Sequence, residues 1–571
     1  MLRPPHRRLA AVAVVVLLAM LMPSTAGAST GYERVTGAGS TWSANALQQW
    51  IAQVRSRGIT IDYTDSGSSN GRVQFRNQTV DFAVSEIPYG IPDRGVPDPL
   101  PQRGFAYMPV VAGGTAFMYN LKISGRQVTN LRLSGDVIAK IFTGAITTWN
   151  DPAIAADNPG LSLPATRVVP VVRSDGSGTS AQFTQWMVSQ HSGVWNTFCG
   201  QVGLPQPCGQ TSNYPAPSGF VAQNGSNGVA GYVRQAQAEG AITYVEYSFA
   251  LNARVPVAKV LNGAGYYVEP TAQNVAVGLL KAQIETQNTD PAVYLTQKLG
   301  GVYTNPDPRA YPLSSYSYMI LPTEVAGTFN AAKGKALGDF GYYFLCEGQQ
   351  RADDLGYSPL PINLVQAGFD QLRRVPGVDA QTVNIASCNN PTFSADGTNT
   401  LATTAPQPSE CDRRGVSQCS AGTGGVKEVE TPVSAGGGGA APGAAPAAPA
   451  GGAAGGPAPA DGAGAPAAPG ATDPALAAGG VVDPALAGLD PGAVPPSGAA
   501  SAEALIDPDT GEVLGAGVGT GPAAVTGVSV ELASNSSWQL QHTLMLATVA
   551  ALVLASMGPG LLVRRLRGAN R

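Results

Sequence analysis

The 571-residue sequence predicts an α/β fold of two doubly wound lobes, followed by a flexible linker and one transmembrane helix, and three observations predict it. Short β-rich runs alternate with amphipathic helical patterns over roughly 31–381, which argues parallel strands joined by crossover helices, and that length exceeds what one small core serves. From 434 onward the chain turns Ala/Gly/Pro-rich. Residues 543–563 then form an apolar run about as long as a bilayer is thick.

Taken from the N-terminus, Arg3, Arg7 and Arg8 precede an apolar run from Leu9 to Met22 and the small residues Ser24 to Ala28. That is the layout of a secretory signal peptide, assigned to 1–28. The folded part is expected at 29–381, with strands at Ile59 to Tyr63, Phe82 to Val84, Phe105 to Val111, Thr115 to Asn120, Val168 to Val172 and Ile242 to Val245. A Ser/Thr/Pro-rich extension follows at 382–433 and the linker at 434–535, whose composition buries too little apolar surface to offset its ordering entropy. Arg564, Arg565, Arg567 and Arg571 mark 564–571 as a cytoplasmic tail, which puts the bulk of the chain outside the cell. Residues beyond about Cys419 are expected to localise the domain and to make no binding contacts.

A formal net charge of -4 with mixed signs points to no nucleic-acid partner. The six cysteines suit an oxidising compartment, and proximity suggests Cys199 with Cys208, Cys346 with Cys388 and Cys411 with Cys419, one of about fifteen possible connectivities. No Cys-x-x-Cys occurs, so no metal site and no cofactor are expected. Of the histidines, His6 lies in the signal peptide and His542 at the membrane, which leaves His191 and makes a Ser-His triad improbable. Ser177 lacks the full Gly-x-Ser-x-Gly elbow, so no enzyme is expected.

Three loops share one design, a Gly/Ser/Thr-rich turn directly before a helix: Gly37 to Trp42, Ser66 to Gly71 and Asp175 to Ser180. Helix N-termini present unpaired N–H groups and partial positive charge, glycine lets the backbone approach, and hydroxyls add donors. Each loop alone is equally an ordinary capped turn; three together, one beside Arg173, favour an oxyanion site. Arg173 offers a planar fork of donors, and Asp175 is placed to hold it. In doubly wound sheets such a site lies at the carboxyl ends of strands.

These loops, together with Val80 to Pro88, Arg173 to Ser180 and Ala241 to Tyr247, resemble in order and spacing the phosphate-binding subunit of bacterial phosphate ABC transporters, usually called PstS. The resemblance spans roughly Glu33 to Arg374. It implies a type II periplasmic-binding-protein fold closing on an interlobe cleft, with lobe 1 at about 33–113 and 268–376 and lobe 2 at about 114–267. Carried over by position, it implies a phosphate shell of Thr41, Trp42 (through its backbone N–H), Ser68, Glu86, Arg173, Ser177, Gly178 and Thr179, with Asp175 supporting Arg173. It further implies binding of inorganic phosphate for the permease subunits of an ABC transporter; the chain is expected to act as a monomer and, departing from the family pattern, to be held at the membrane by its C-terminal helix. At Glu86 the family more often has aspartate, so the geometry of that acceptor is open. A surface sensor or adhesin with the same fold is the alternative, and a phosphatase-like surface enzyme a weaker one.

Overall fold

The computed structural model describes residues 31–394 and 396–434. The signal peptide, the linker from 435 onward, the span at 543–563 and the tail at 564–571 therefore lie outside the described residues. Among the described residues no helix is long and apolar enough to cross a membrane.

The chain opens with β1 (Val35–Gly39), α1 (Ala44–Val54), β2 (Ile61–Thr64), α2 (Ser68–Arg76) and β3 (Phe82–Ser85). β1 pairs in parallel with both β2 and β3. α1 docks because Leu47, Trp50, Ile51 and Val54 fall on one face and are buried, with Trp50 stacked 5.2 Å from Phe344. Next come β4 (Phe105–Tyr119), β5 (Val169–Arg173), α3 (Gly178–Gln190), β6 (Val221–Gln223), α4 (Gly225–Val233), β7 (Ala241–Glu246) and β8 (Ser314–Pro322). The strand order is β2-β1-β3-β8-β4-β7-β5-β6.

The sheet is mixed, where the sequence suggested a parallel one. β4 runs antiparallel to β8 over its first half, from Phe105 opposite Pro322 to Gly114 opposite Ser314, and antiparallel to β7 over its second, from Thr115 opposite Glu246 to Tyr119 opposite Ile242. One fifteen-residue strand thus carries the chain from lobe to lobe. Two separate strands, Phe105 to Val111 and Thr115 to Asn120, were expected there, with Gly113-Gly114 between them. The glycines instead admit close neighbours: a Cβ on Gly113 would lie 2.8 Å from Trp42 Cη2, and one on Gly114 2.5 Å from Pro270 Cβ. Pro109, which has no N–H to give, sits where the β4–β8 register slips in a bulge.

Two principal cores form. Lobe 1 packs Trp50, Phe82, Tyr318 and Phe344; lobe 2 packs an aromatic cluster in which Phe183 lies 4.7 Å from Tyr244 and 5.2 Å from Phe142. The segment from 268 onward was expected in lobe 1, yet Leu299, Val302, Tyr303, Tyr311 and Leu313 pack in the core of lobe 2. The chain returns to lobe 1 on entering β8, whose Tyr316 and Tyr318 to Leu321 pack in that core.

The extension is integral to the fold. Cys346–Cys388 ties its start to lobe 1, where Asn390 Nδ2 and Thr392 Oγ1 donate to the Leu360 carbonyl at 3.0 and 2.9 Å. Further on it packs against lobe 2: Arg132, fully buried, gives Nη1 to the Cys411 carbonyl at 2.9 Å and Nη2 to that of Val416 at 2.7 Å. Lys259 pairs with Asp412 at 2.8 Å, and the Thr129 N–H donates to Thr431 Oγ1 at 2.8 Å. The compact unit therefore continues to Ser434, whose N–H reaches the Gly160 carbonyl at 3.0 Å, and does not stop at 381. All six cysteines pair as proximity suggested.

Candidate functional site

The three loops converge where the lobes meet. β1 ends at Gly39, whose φ of +137° and whose approach to the Val84 carbonyl leave no room for a side chain. The turn brings Ser40 inward, where its Oγ accepts the N–H groups of Trp42 and Ser43 at 3.0 and 3.3 Å and donates to Glu86 Oε1 at 2.5 Å. The Trp42 N–H expected to face a ligand is thus directed at Ser40. Thr41 Oγ1 shares a hydrogen bond of 2.7 Å with Ser226 Oγ across the lobe boundary.

From the second loop, Ser68 Oγ donates to Glu86 Oε2 at 2.7 Å and accepts the Gly178 N–H of lobe 2 at 3.2 Å. Ser69 N–H meets the Gly176 carbonyl at 3.1 Å. In the third loop, Arg173 is buried at the end of β5, with Nε 2.7 Å from Asp175 Oδ1, Nη2 on Asp175 Oδ2 and Nη1 3.4 Å from Ser226 Oγ. Asp175 also accepts the Gly225 N–H at 2.9 Å, which locks the fork against the start of α4. Ser177 caps α3, its Oγ accepting the Ser180 N–H at 3.1 Å. Thr179 Oγ1, in the first turn of that helix, is buried without a hydrogen-bond partner in the protein, a costly arrangement unless something else accepts or donates there.

Glu86 is 1 % exposed and sits at the centre. A Cβ added to Gly178 would lie 1.8 Å from Glu86 Oε2, so the longer glutamate side chain carries its carboxylate straight onto the N-terminus of α3. Burial lifts the Glu86 carboxyl above the ordinary carboxylate range, against the opposing pull of the Ser40 and Ser68 hydrogen bonds and of Arg173. One guanidinium faces two carboxylates, Asp175 and Glu86. Such a centre favours an oxyanion that brings a proton of its own.

All eight predicted shell residues and Asp175 fall at or beside this junction. Ser40 and Ser226 were missed. Ser226 follows the short strand β6 in Gln223-Asn224-Gly225-Ser226 and opens α4, the same strand–turn–helix design as the other three loops. A three-residue strand with an exposed middle gave too weak a β signal for the pattern to be noticed. Beside the cluster opens a groove of about 910 Å³ lined in part by Glu86, Tyr89, Gln182, Leu204 and Tyr303.

Residues 24–347 match the family model of the PBP superfamily domain. A phosphate-binding protein PstS of Xylella fastidiosa (strain Temecula1) is 33% identical over 334 residues, 58% of this chain and 83% of its own. Phosphate-binding protein PstS 2 of Mycobacterium tuberculosis is 34% identical over 342 residues, covering 58% of this chain and 84% of its own. A solved phosphate-binding protein from Stenotrophomonas maltophilia aligns with a TM-score of 0.44 at 19% identity, over 64% of this chain and 99% of its own.

Proposed function

The chain belongs to the PBP superfamily, among the PstS-like binding proteins, and on that premise we propose that it binds inorganic phosphate between its lobes and delivers it to the permease of a phosphate ABC transporter. It is a binding protein and not an enzyme, as are the relatives by name. The reading includes export by the N-terminal signal segment, tethering outside the cell by the C-terminal apolar segment, and action as a monomer. The shell is Thr41, Ser68, Glu86, Arg173, Ser177, Gly178 and Thr179, with Asp175 fixing Arg173, while the Trp42 N–H is given to Ser40 and not to the ligand.

The observation that carries the proposal is the meeting of four helix N-termini around buried Arg173, with the Thr179 hydroxyl unpartnered beside them. Helix N-termini and a guanidinium attract an oxyanion, and the two carboxylates decide which one. Phosphate at neutral pH keeps an O–H to donate to Glu86; sulfate has none and would set two acceptors face to face. Calorimetric titration of the full-length chain with phosphate, sulfate and molybdate tests this. Binding of phosphate in strong preference to the other two is expected, and failure to bind phosphate would overturn the proposal.

A further inference from the structure

We propose that Asp93, outside every loop motif, is a positioning residue that latches the lobes together and orients the Ser177 amide through Ser212; the inference rests on the binding-cleft reading above. Asp93 stands between β3 and β4 in lobe 1, in a turn closed by reciprocal backbone hydrogen bonds with Val96 at 3.0 and 2.9 Å. Its carboxylate reaches into lobe 2. Oδ1 accepts the Thr211 hydroxyl at 2.5 Å, while Oδ2 accepts the Ser212 N–H at 2.9 Å and the Ser212 hydroxyl as well.

The loop it grasps is wired to the site. The Ser212 carbonyl accepts the Ser177 N–H at 3.0 Å, and Ser212 Oγ accepts the Ser69 hydroxyl of the second cradle at 2.9 Å. Thr211 is pinned to α3 in turn, since its N–H donates to Thr184 Oγ1 at 2.8 Å and its carbonyl accepts that hydroxyl at 3.0 Å. Hydrogen bonds to an ionised acceptor are about twice as strong as neutral ones, and the direct contacts made across the boundary by Thr41 and Ser69 are neutral. Asp93 therefore gives lobe closure a charge-assisted anchor away from the bound anion, and couples closure to the cap of α3.

The test uses the full-length chain with inorganic phosphate as probe, following tryptophan fluorescence by stopped flow and amide exchange by mass spectrometry. For Asp93→Ala, release should quicken by about 10- to 100-fold while association stays within about threefold, because losing a half-buried, charge-assisted contact that forms only between the closed lobes acts on dissociation. Amides of Ser177 and Ser212 should lose protection while those of Phe117 and Phe183 keep theirs, a pattern that general loosening would not give. Thr211→Val, which removes one donor, should fall between. Should Asp93→Ala not fold, the near-isosteric Asp93→Asn and Thr211→Val carry the same comparison. Unchanged release and unchanged exchange in these variants would overturn the latch, as would loss of protection throughout the core. If phosphate left the native chain unaltered, the functional reading would fall, and exchange at Ser177 and Ser212 would still decide the latch.

Discussion

Glu86→Gln exchanges one carboxylate oxygen for an NH2 group at the point where Ser40, Ser68 and the start of α3 meet. Ser40 Oγ already accepts two N–H groups and has no lone pair to spare, so the new NH2 must turn toward Ser68. Ser68 Oγ accepts one N–H, from Gly178, and gives up its own donation to make room. Phosphate then loses a charged acceptor for its proton, worth about 1.5 to 3 kcal/mol. Sulfate gains a donor in place of an opposed pair of acceptors, relieving a penalty of about 1 to 3 kcal/mol. Together the shift is about 2.5 to 6 kcal/mol, so the phosphate-over-sulfate ratio should fall by about two to four decades. Competition calorimetry at neutral pH measures it. In the native protein the same preference should weaken as pH falls through the raised Glu86 pKa, where the protonated acid becomes a donor; in Glu86→Gln that pH dependence should vanish. A ratio unchanged within about threefold would refute the assignment of proton reading to Glu86.

Arg173→Ala should weaken phosphate binding by about 2 to 5 kcal/mol in calorimetry, since it removes the site's cation and leaves Asp175 buried without its partner; unchanged affinity would return Arg173 to a structural role. A chain ended after Ser434 should melt like the full chain, whereas one ended after Cys419 forfeits the hydrogen bonds of Thr423 to Thr129 and Val257, of Gly424 to Glu269 and of Thr431 to Thr129. At about 1 kcal/mol each the loss is about 4 kcal/mol, visible in denaturant unfolding, and equal midpoints would show the last turn of the extension to be dispensable. Glu246 is fully buried, with Oε1 unpartnered and its carboxyl pushed by burial well above its ordinary value of 4.5. The native state thus holds this proton to higher pH than the unfolded chain, so stability declines as pH rises from about 4.5 toward the raised native value. Glu246→Gln should raise Tm at neutral pH by on the order of 2 °C and have little effect below about pH 4 by calorimetry, and a lower Tm at neutral pH would contradict this account.

Local features of the sequence determined the parts whose cause is local. The helix beginning at Ala44 follows from the spacing of Leu47, Trp50, Ile51 and Val54, and the cradles follow from glycine and hydroxyl residues at strand ends, because backbone freedom and capping act within a few residues. Arg173 beside the third cradle was legible as an anion partner for the same reason, while Ser68 and Ser177 to Thr179 were singled out through the family resemblance; Cys199–Cys208 and Cys411–Cys419 are close in sequence, whereas Cys346–Cys388 spans 42 residues. Tertiary structure decided what depends on distant neighbours. Gly113-Gly114 lies inside a strand because Trp42 and Pro270 press on it, and no local rule distinguishes that glycine pair from a turn. The extension carries no periodic pattern, yet its carbonyls satisfy the buried guanidinium of Arg132 some 279 residues away in sequence, a match that exists only once both segments are folded. Asp93 was invisible for the same physical reason: a carboxylate in a turn reads as solvated until the closing of two lobes supplies the hydroxyls and the amide that it binds.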